Sequence, residues 1–445
     1  MASVVARALA KVDAEKASKQ DLEMLKKLVM EFKDELDALG VKVDKIDKRV
    51  AVLEDNLGGW KLRGLLWFDA DFAGGDHDNA YTGGKATEFN TQRFRLFLTK
   101  QIDENTSFYS QWRWGDSVDK GAGMGNLDSH IISHLYVDTK LPYDIDFRVG
   151  RFAVDFEGDY GFYDETDAFF SDYRTDGFQF KKSWGMLSAT AIVGRNAARD
   201  NKVSSNVGSK DFGEGTYMNY VLDLHFQPNE KFFAGATGYW FADDENNTGF
   251  DASFKNYALY AGFKFTPAVE LKGIYNWQDI DKDLAVALHD TDAANAEDSP
   301  KAWKAVLTLD QSLLKFTALR FEYAEQDNMY IGNRDYYGYG ADSSNYEYHL
   351  LSNMPANNDT TKMFFVRADQ KWNDKWSSYL RYVTADFGTD GIDDAKTYGA
   401  AVKYQYTPAI AFRLMYDYLD FGNSTMAGKT TGDDHVFQFR TTVSF

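Results

Sequence analysis

The chain contains no cysteine among its 445 residues, which excludes disulfides, thiol catalysis and cysteine-bound zinc. It also lacks any apolar run near the roughly 18 residues that a membrane-spanning helix needs, and its mean hydropathy is −0.49. Basic residues are scarce, because 49 Lys and Arg stand against 68 Asp and Glu, and this balance argues against a nucleic-acid partner. These absences leave one membrane class open, since transmembrane β-barrels alternate apolar and polar residues and keep a low average hydropathy.

The N-terminal part of the chain has a helical period. Between residues 22 and 57 the spacing of apolar residues alternates between three and four over five heptads, and the remaining positions are mostly charged. So narrow an apolar stripe needs a partner helix, so we predict a coiled-coil stalk over residues 15–58. One amphipathic helix on a globular core would show a wider stripe. The predicted core positions are Leu22, Leu25, Val29, Phe32, Leu36, Leu39, Val43, Ile46, Val50, Leu53 and Leu57.

From residue 59 onward the period changes to two, as in the segments 217–226 and 397–406. Short connectors alternate with long acidic ones, and four of only six prolines lie in the short connectors, where a missing N–H breaks no strand pairing. Eight short connectors join sixteen strands, and a first and a last strand raise the count to eighteen. We therefore predict a transmembrane antiparallel β-barrel of eighteen strands over residues 59–445, with sixteen as the alternative.

The segment "HVFQFRTTVSF" is the last predicted strand. Phe437, Phe439, Val443 and Phe445 would face lipid, and Arg440 lies on the polar face. The abundance of aromatic residues, 16% of the chain, fits girdles at two membrane interfaces better than a soluble β-sandwich. A β-propeller would show one repeated motif per blade, and the sequence has none. Phe445 resembles the terminal signal that the bacterial barrel-assembly machinery reads.

The same alternation predicts which charges face the lumen. A charge on the lipid face near mid-membrane would cost about 2–4 kcal/mol. The predicted inward basic residues are Lys61, Arg63, Arg93, Arg95, Arg113, Arg148, Arg320, Arg367, Arg381, Lys403 and Arg413. The predicted inward acidic residues are Asp69, Asp146, Asp223, Glu322, Asp369 and Asp417.

An acidic and aromatic stretch over 157–176 occupies the third long connection. In trimeric porins this loop folds inward, and opposed charges across such a constriction filter dipolar solutes. The acidic side would come from Glu157, Asp159, Asp164, Glu165 and Asp167. If the loop folds inward, eleven acidic groups balance eleven basic ones and ion selectivity should be weak. If it stays outside, anions should pass preferentially.

The order of helix, stalk and barrel resembles the OmpM-like porins of diderm Firmicutes, which carry an N-terminal S-layer-homology (SLH) domain. The opening "MASVVARALAKV" is similar to the last helix of such a domain, so residues 1–14 are interpreted as its remnant. The resemblance implies a homotrimer in the bacterial outer membrane, in contact with lipid and lipopolysaccharide, with the stalk in the periplasm. It also implies binding to peptidoglycan through the SLH domain, most of which is missing from this sequence.

The function that follows is a porin for passive diffusion of small hydrophilic solutes. An enzyme is not expected, because the seven histidines are scattered and none has a spacing typical of a catalytic site. A trimeric adhesin would contribute only a few strands per chain. A substrate-specific channel is the open alternative, and its aromatic path would use Trp67, Phe97, Tyr109, Tyr136 and Tyr260. No cofactor is expected, although "DGIDD" and "HDTD" could hold Ca²⁺ loosely.

Overall fold

The computed structural model describes residues 23–24, 27–28, 30–32, 58–76, 86–114, 130–163, 168–196, 217–243, 253–289, 296–332, 357–420, 422 and 432–445. The strands are β1 (Trp60–Gly75), β2 (Thr87–Gln101), β3 (Thr106–Trp114), β4 (His130–Leu141), β5 (Ile145–Val154), β6 (Tyr173–Trp184), β7 (Leu187–Asn196), β8 (Tyr217–Asn229), β9 (Phe232–Asp243), β10 (Phe254–Thr266), β11 (Val269–Ile280), β12 (Lys301–Leu309), β13 (Ala318–Asp327), β14 (Thr360–Lys371), β15 (Trp376–Asp386), β16 (Ala395–Gln405), β17 (Ile410–Asp420) and β18 (Asp433–Ser444). In the described parts of the connections the helices are α1 (Phe156–Asp159), α2 (Lys282–His289) and α3 (Gln311–Leu314).

The strands form one closed antiparallel barrel. Each strand pairs with its neighbours in chain order, and β1 pairs with β18 over Leu65–Gly75, so that the described sheet of eighteen strands has no free edge. The prediction of an antiparallel barrel with eighteen strands is confirmed. Closure matters because an open edge would leave backbone groups without hydrogen-bond partners in lipid.

The eight predicted short connectors all link successive strands at one end of the barrel. Side chains organise their turns: in the connection from β14 to β15, Asn373 Oδ1 accepts hydrogen bonds from the N–H groups of Lys375 (2.9 Å) and Trp376 (3.0 Å). Asn229 Oδ1 accepts from Lys231 (2.8 Å) and Phe232 (3.1 Å) in the same way. Asn and Asp favour turns because they can bond the backbone two or three residues further on.

The outer wall is apolar with aromatic side chains near both rims. Near the short-turn end, the rings of Trp376 and Tyr404 lie 4.5 Å apart, measured between centroids. Near the opposite end, Trp240 contacts Tyr257 at 5.9 Å. Such girdles place amphipathic rings at the level of the lipid headgroups.

The closing strand ends on Phe445, whose N–H donates to Gly64 O (3.0 Å), while Gly64 N–H donates to Phe445 O (2.6 Å). The Phe445 ring lies over Gly64, where an added Cβ would come within 2.2 Å of it. Glycine is therefore needed opposite this ring. The role of Phe445 as an assembly signal stays a prediction.

The predicted stalk and the SLH remnant lie largely outside the described residues. Between residues 23 and 32 the described positions are helical apart from a turn at Phe32, whose N–H donates to Leu28 O at 3.1 Å. The other ten predicted coiled-coil core positions lie outside the described residues. Within the described ranges, no helix is both long and apolar enough to cross a bilayer.

Candidate pore lining

The connection between β5 and β6 lies inside the barrel. Its helix α1 begins at Asp155, whose Oδ1 accepts from the N–H of Gly158 at 2.8 Å. Beyond α1 the Tyr160 hydroxyl donates to Asp223 on β8 at 2.6 Å. The Tyr160 ring stacks between His225 (4.5 Å) and Tyr260 (4.6 Å). These contacts attach the loop to the inner wall.

Two basic side chains hold the next turn of the same loop. Lys272 on β11 donates to Gly161 O at 3.3 Å, and Arg320 on β13 donates to Phe162 O at 3.2 Å. Phe162 is fully buried and packs beneath the loop against Tyr260. The loop therefore covers part of the inner wall from β8 to β13.

Glu157 has a different position from the expected one. It was predicted to line the constriction, but it is only 3% exposed, and its carboxylate accepts from the N–H groups of Phe169 (2.9 Å), Phe170 (2.9 Å) and Ser171 (3.2 Å). Burial raises the pKa of Glu157, while nearby Lys304 and the three N–H groups act in the opposite direction. A carboxylate surrounded in this way organises the loop and does not contact passing ions.

The other predicted loop acids are less completely described. Burial raises the pKa of Asp159, and the charges of Lys181 and Arg148 oppose that shift. Asp159 thus lies near the basic inner wall of β5 and β6. Asp164, Glu165 and Asp167 lie outside the described residues.

A second inward segment follows β13. The Tyr330 hydroxyl donates to Asn256 at 2.8 Å, and Ile331 N–H donates to Gln278 Oε1 at 2.8 Å. Tyr330 and Ile331 are 1% and 2% exposed. Together with the β5–β6 loop, this segment covers the inner wall of β8 to β13. Asn328 of the same segment also accepts a hydrogen bond from Thr361 on β14 at 2.6 Å. The described inner wall of β14 to β18 and β1 to β5 holds most of the predicted arginines.

The strand register brings the predicted basic residues together in rows. Directly opposite residues of antiparallel strands share one face of the sheet. Arg320, Arg367 and Arg381 are opposite one another on β13, β14 and β15. Arg95 is opposite Arg113 on β2 and β3. These residues share the inner face with the buried carboxylates, as the alternation predicted.

Four of the nine arginines predicted to face inward, and Arg440, form an ion pair with a described carboxylate. Five wall pairs have their closest nitrogen–oxygen distance between 2.5 and 3.1 Å. The pairs are Arg148–Asp138, Arg320–Glu322, Arg367–Asp369, Arg381–Asp417 and Arg440–Asp69. Sequence reasoning did not select Asp138 or Arg440 as pore residues, although the alternation of their strands places both on the polar face.

The predicted aromatic path is divided between two walls. Trp67 on β1 lies between Arg93 (3.8 Å) and Arg440 (4.3 Å), measured from each guanidinium carbon to the ring centroid. Tyr109 and Tyr136 stack at 5.1 Å on β3 and β4. Phe97 is opposite Arg63 on the same inner face. Tyr260 lies under the β5–β6 loop and does not belong to this row.

Among the described residues, no three His, Asp or Glu side chains are grouped as metal ligands. Two histidines of the inner wall pack against aromatic rings: His134 lies 5.9 Å from Tyr109, and His225 is stacked on Tyr160. Loose Ca²⁺ binding by the acidic loops stays a prediction, and residues 290–292 of "HDTD" lie outside the described residues.

This geometry can be compared with that of known proteins. No family model matches the chain. An uncharacterized protein of Synechocystis sp. is 31% identical over 150 residues, which cover 30% of this chain and 27% of that protein. The chain thus matches only about a quarter of that relative's length.

Solved structures with a similar fold are outer-membrane channels. OccAB1 of Acinetobacter baumannii has a TM-score of 0.54 at 13% identity, covering 86% of this chain and 97% of that one. OccAB3 of Acinetobacter baumannii has a TM-score of 0.53 at 10% identity, covering 87% and 100%. OccD3 of Pseudomonas aeruginosa has a TM-score of 0.50 at 13% identity, covering 87% and 91%. At these identities the similarity shows a shared fold: this chain has the fold of the outer-membrane porins.

Proposed function

We propose that this protein is an outer-membrane channel for passive diffusion of small hydrophilic solutes and ions, and that it is not an enzyme. The observation that carries the proposal is the arrangement of the inner wall. The inward loop is bonded to the wall by Tyr160, Lys272 and Arg320 and covers part of the wall from β8 to β13. Most of the predicted arginines lie on the wall from β14 to β5. A charged wall next to a constriction loop supports diffusion of water, ions and polar solutes.

Purified protein in planar bilayers tests this function. We expect stepwise conductance without added ligand, and swelling of proteoliposomes in small sugars. A protein that inserts into the bilayer but conducts nothing under any salt condition would contradict the proposal.

We propose weak ion selectivity for this channel. The support is that wall arginines lie against carboxylates, as in Arg381–Asp417 at 3.1 Å and Arg148–Asp138 at 2.7 Å. Opposite charges about 3 Å apart cancel much of each other's field at distances larger than their separation, and salt screens the remainder beyond a Debye length of about 8 Å. Replacing Arg93, Arg95 and Arg113 together by glutamine should shift the reversal potential in a salt gradient toward cations. An unchanged potential would mean that these arginines do not line the narrow passage.

We further propose a homotrimer in the outer membrane, surrounded by lipid and lipopolysaccharide, with a periplasmic stalk that links the barrel to peptidoglycan through the SLH domain. The support is the heptad pattern of residues 22–57, because a coiled coil needs partner helices. A single symmetry axis could then serve both stalk and barrel. Light scattering in detergent tests the trimer, and a monomeric mass would contradict it.

A substrate-specific channel is the second candidate. It is favoured by the stacked rings of Tyr109 and Tyr136 beside Arg148, whose guanidinium carbon lies 4.0 Å from the Tyr136 ring centroid. Flat solutes could slide over such a surface. A conductance that is blocked by one solute class at low concentration would favour this candidate over the general porin.

A further inference from the structure

A cavity of about 270 Å³ opens in the inner wall at the short-turn end of the barrel, between β13 and β17. We call it the short-turn pocket. Its basic lining comes from Arg367, Lys371, Lys403 and Arg413, and its polar lining includes Ser377 and Tyr379. Pockets for drug-sized ligands occupy about 300–1,000 Å³, so this one suits a smaller solute.

The strand register brings two cationic side chains and a hydroxyl together in the short-turn pocket. Lys403 and Arg413 are directly opposite each other on β16 and β17, and Ser377 is opposite Lys403 on the other side. Like charges directly opposite each other destabilise a sheet. The short-turn pocket therefore carries a like-charge pair whose mutual repulsion a bound anion would relieve.

The carboxylate in the pocket lining, Asp369, is bonded to a third basic residue. Asp369 accepts two hydrogen bonds from Arg367, at 3.0 and 2.7 Å. Arg413 donates to the neutral amide of Gln438 at 2.8 Å.

The floor of the pocket is held by hydrogen bonds between one side chain and the backbone. Gln311 of α3 donates to Lys371 O and accepts from Lys371 N–H, both at 3.1 Å, and so extends the pairing of β14 with a side-chain amide. Asp310 caps the helix by accepting from Ser312 N–H at 2.8 Å. A rigid floor lowers the entropy lost when a ligand binds.

We propose that the short-turn pocket is a binding site for a small solute with oxyanion groups, either carboxylates or phosphates. Lys403 and Arg413 contact the oxyanion, and the Ser377 hydroxyl donates a further hydrogen bond. Bonds between charged donors and oxyanions are the strong class, and guanidinium groups match planar carboxylates and phosphates. This site rests on the proposed channel function, in which it would slow anionic solutes near one mouth of the pore.

Single-channel block by citrate and by inorganic phosphate, each added separately to either side, tests the proposal. We expect concentration-dependent block at constant ionic strength, stronger from the side of the short turns. Lys403→Gln and Arg413→Gln should each raise the half-blocking concentration about tenfold, the factor expected for loss of one charge-assisted hydrogen bond. Lys403→Arg should keep the block. Block by citrate alone or by both anions supports the site and identifies the accepted chemistry.

Lys375→Gln is the matched control, because it removes one positive charge from a turn at the same end, outside the pocket lining. An equal loss of block in Lys375→Gln and Lys403→Gln would overturn the proposal, since it would show general surface charge. Absence of block by both anions in a conducting channel would also overturn it and leave the channel function intact. A channel that does not conduct at all would contradict the proposed function first.

Discussion

The attachment of the inward loop can be tested by removing a single oxygen atom. Asp223 is 1% exposed and accepts from three hydroxyls: Tyr160 at 2.6 Å, Thr237 at 2.7 Å and Tyr260 at 2.8 Å. Among these donors, Tyr160 belongs to the loop and the others to the wall. Tyr160→Phe removes the loop's hydrogen bond and keeps the ring that stacks on His225.

The expected magnitude follows from the charge of the acceptor. A hydrogen bond to a charged group contributes about 1.5–3 kcal/mol. Losing it should lower the ratio of attached to detached loop by roughly 10- to 150-fold. Because Lys272 and Arg320 still hold the loop backbone, we expect brief excursions to higher conductance and not permanent opening.

Single-channel recording at constant voltage measures these excursions. Thr237→Val is the matched control, because it removes a donor to the same Asp223 carboxylate without touching the loop. Channels of the variant Tyr160→Phe should show brief rises in conductance (flicker), and channels of Thr237→Val should not. Records of Tyr160→Phe that match the parent would refute the idea that this bond holds the loop, and equal flicker in both variants would assign the effect to Asp223 alone.

Two further predictions concern barrel closure and pH. Gly64→Ala should destabilise the barrel by about 1–3 kcal/mol, because the new methyl group overlaps the Phe445 ring. Gly273→Ala is the control, because its Cβ would lie 3.7 Å from the nearest atom. Its melting temperature, measured by circular dichroism, should equal that of the parent protein. Equal melting of both variants would contradict this reasoning. Burial, with the Asp172 charge, raises the pKa of Asp155 from 3.8 to about 7, so the folded loop favours the neutral acid. The attached loop should therefore lose stability as pH rises from about 4 to 7, and we expect more conductance noise at pH 8 than at pH 5. The variant Asp155→Asn should show little difference in noise between these two pH values. A parent channel with equal noise at pH 5 and pH 8 would contradict this prediction.

The candidate pore lining shows which features can be predicted from the alternation of apolar and polar residues. The positions of Arg320, Arg367 and Arg381 on the inner face could be predicted, because a period of two fixes the face of every residue in a strand. Their partners could not be predicted. Asp69 and Arg440 are 371 residues apart in sequence and meet only because β1 pairs with β18 in one particular register.

The loop is the clearest case in which sequence reasoning assigned the wrong environment to a residue. Glu157 belongs to an acidic stretch, and composition alone favours contact with water. The structure instead buries its carboxylate among three backbone N–H groups of the same loop. Nothing in the local pattern reveals this, because the donors are twelve to fourteen residues further along and adopt no regular period.

The sequence by itself determined the antiparallel barrel and predicted eighteen strands, with sixteen as the alternative, and an inward face for the charged residues, because alternation and turn residues are local properties of the chain. Only the tertiary structure decided which charges neutralise each other, which wall the loop covers and where Lys403 stands opposite Arg413. These depend on the register between strands and on contacts between residues far apart in sequence. Such contacts depend on how the closed barrel brings its strands and loops together, and no local pattern encodes that arrangement.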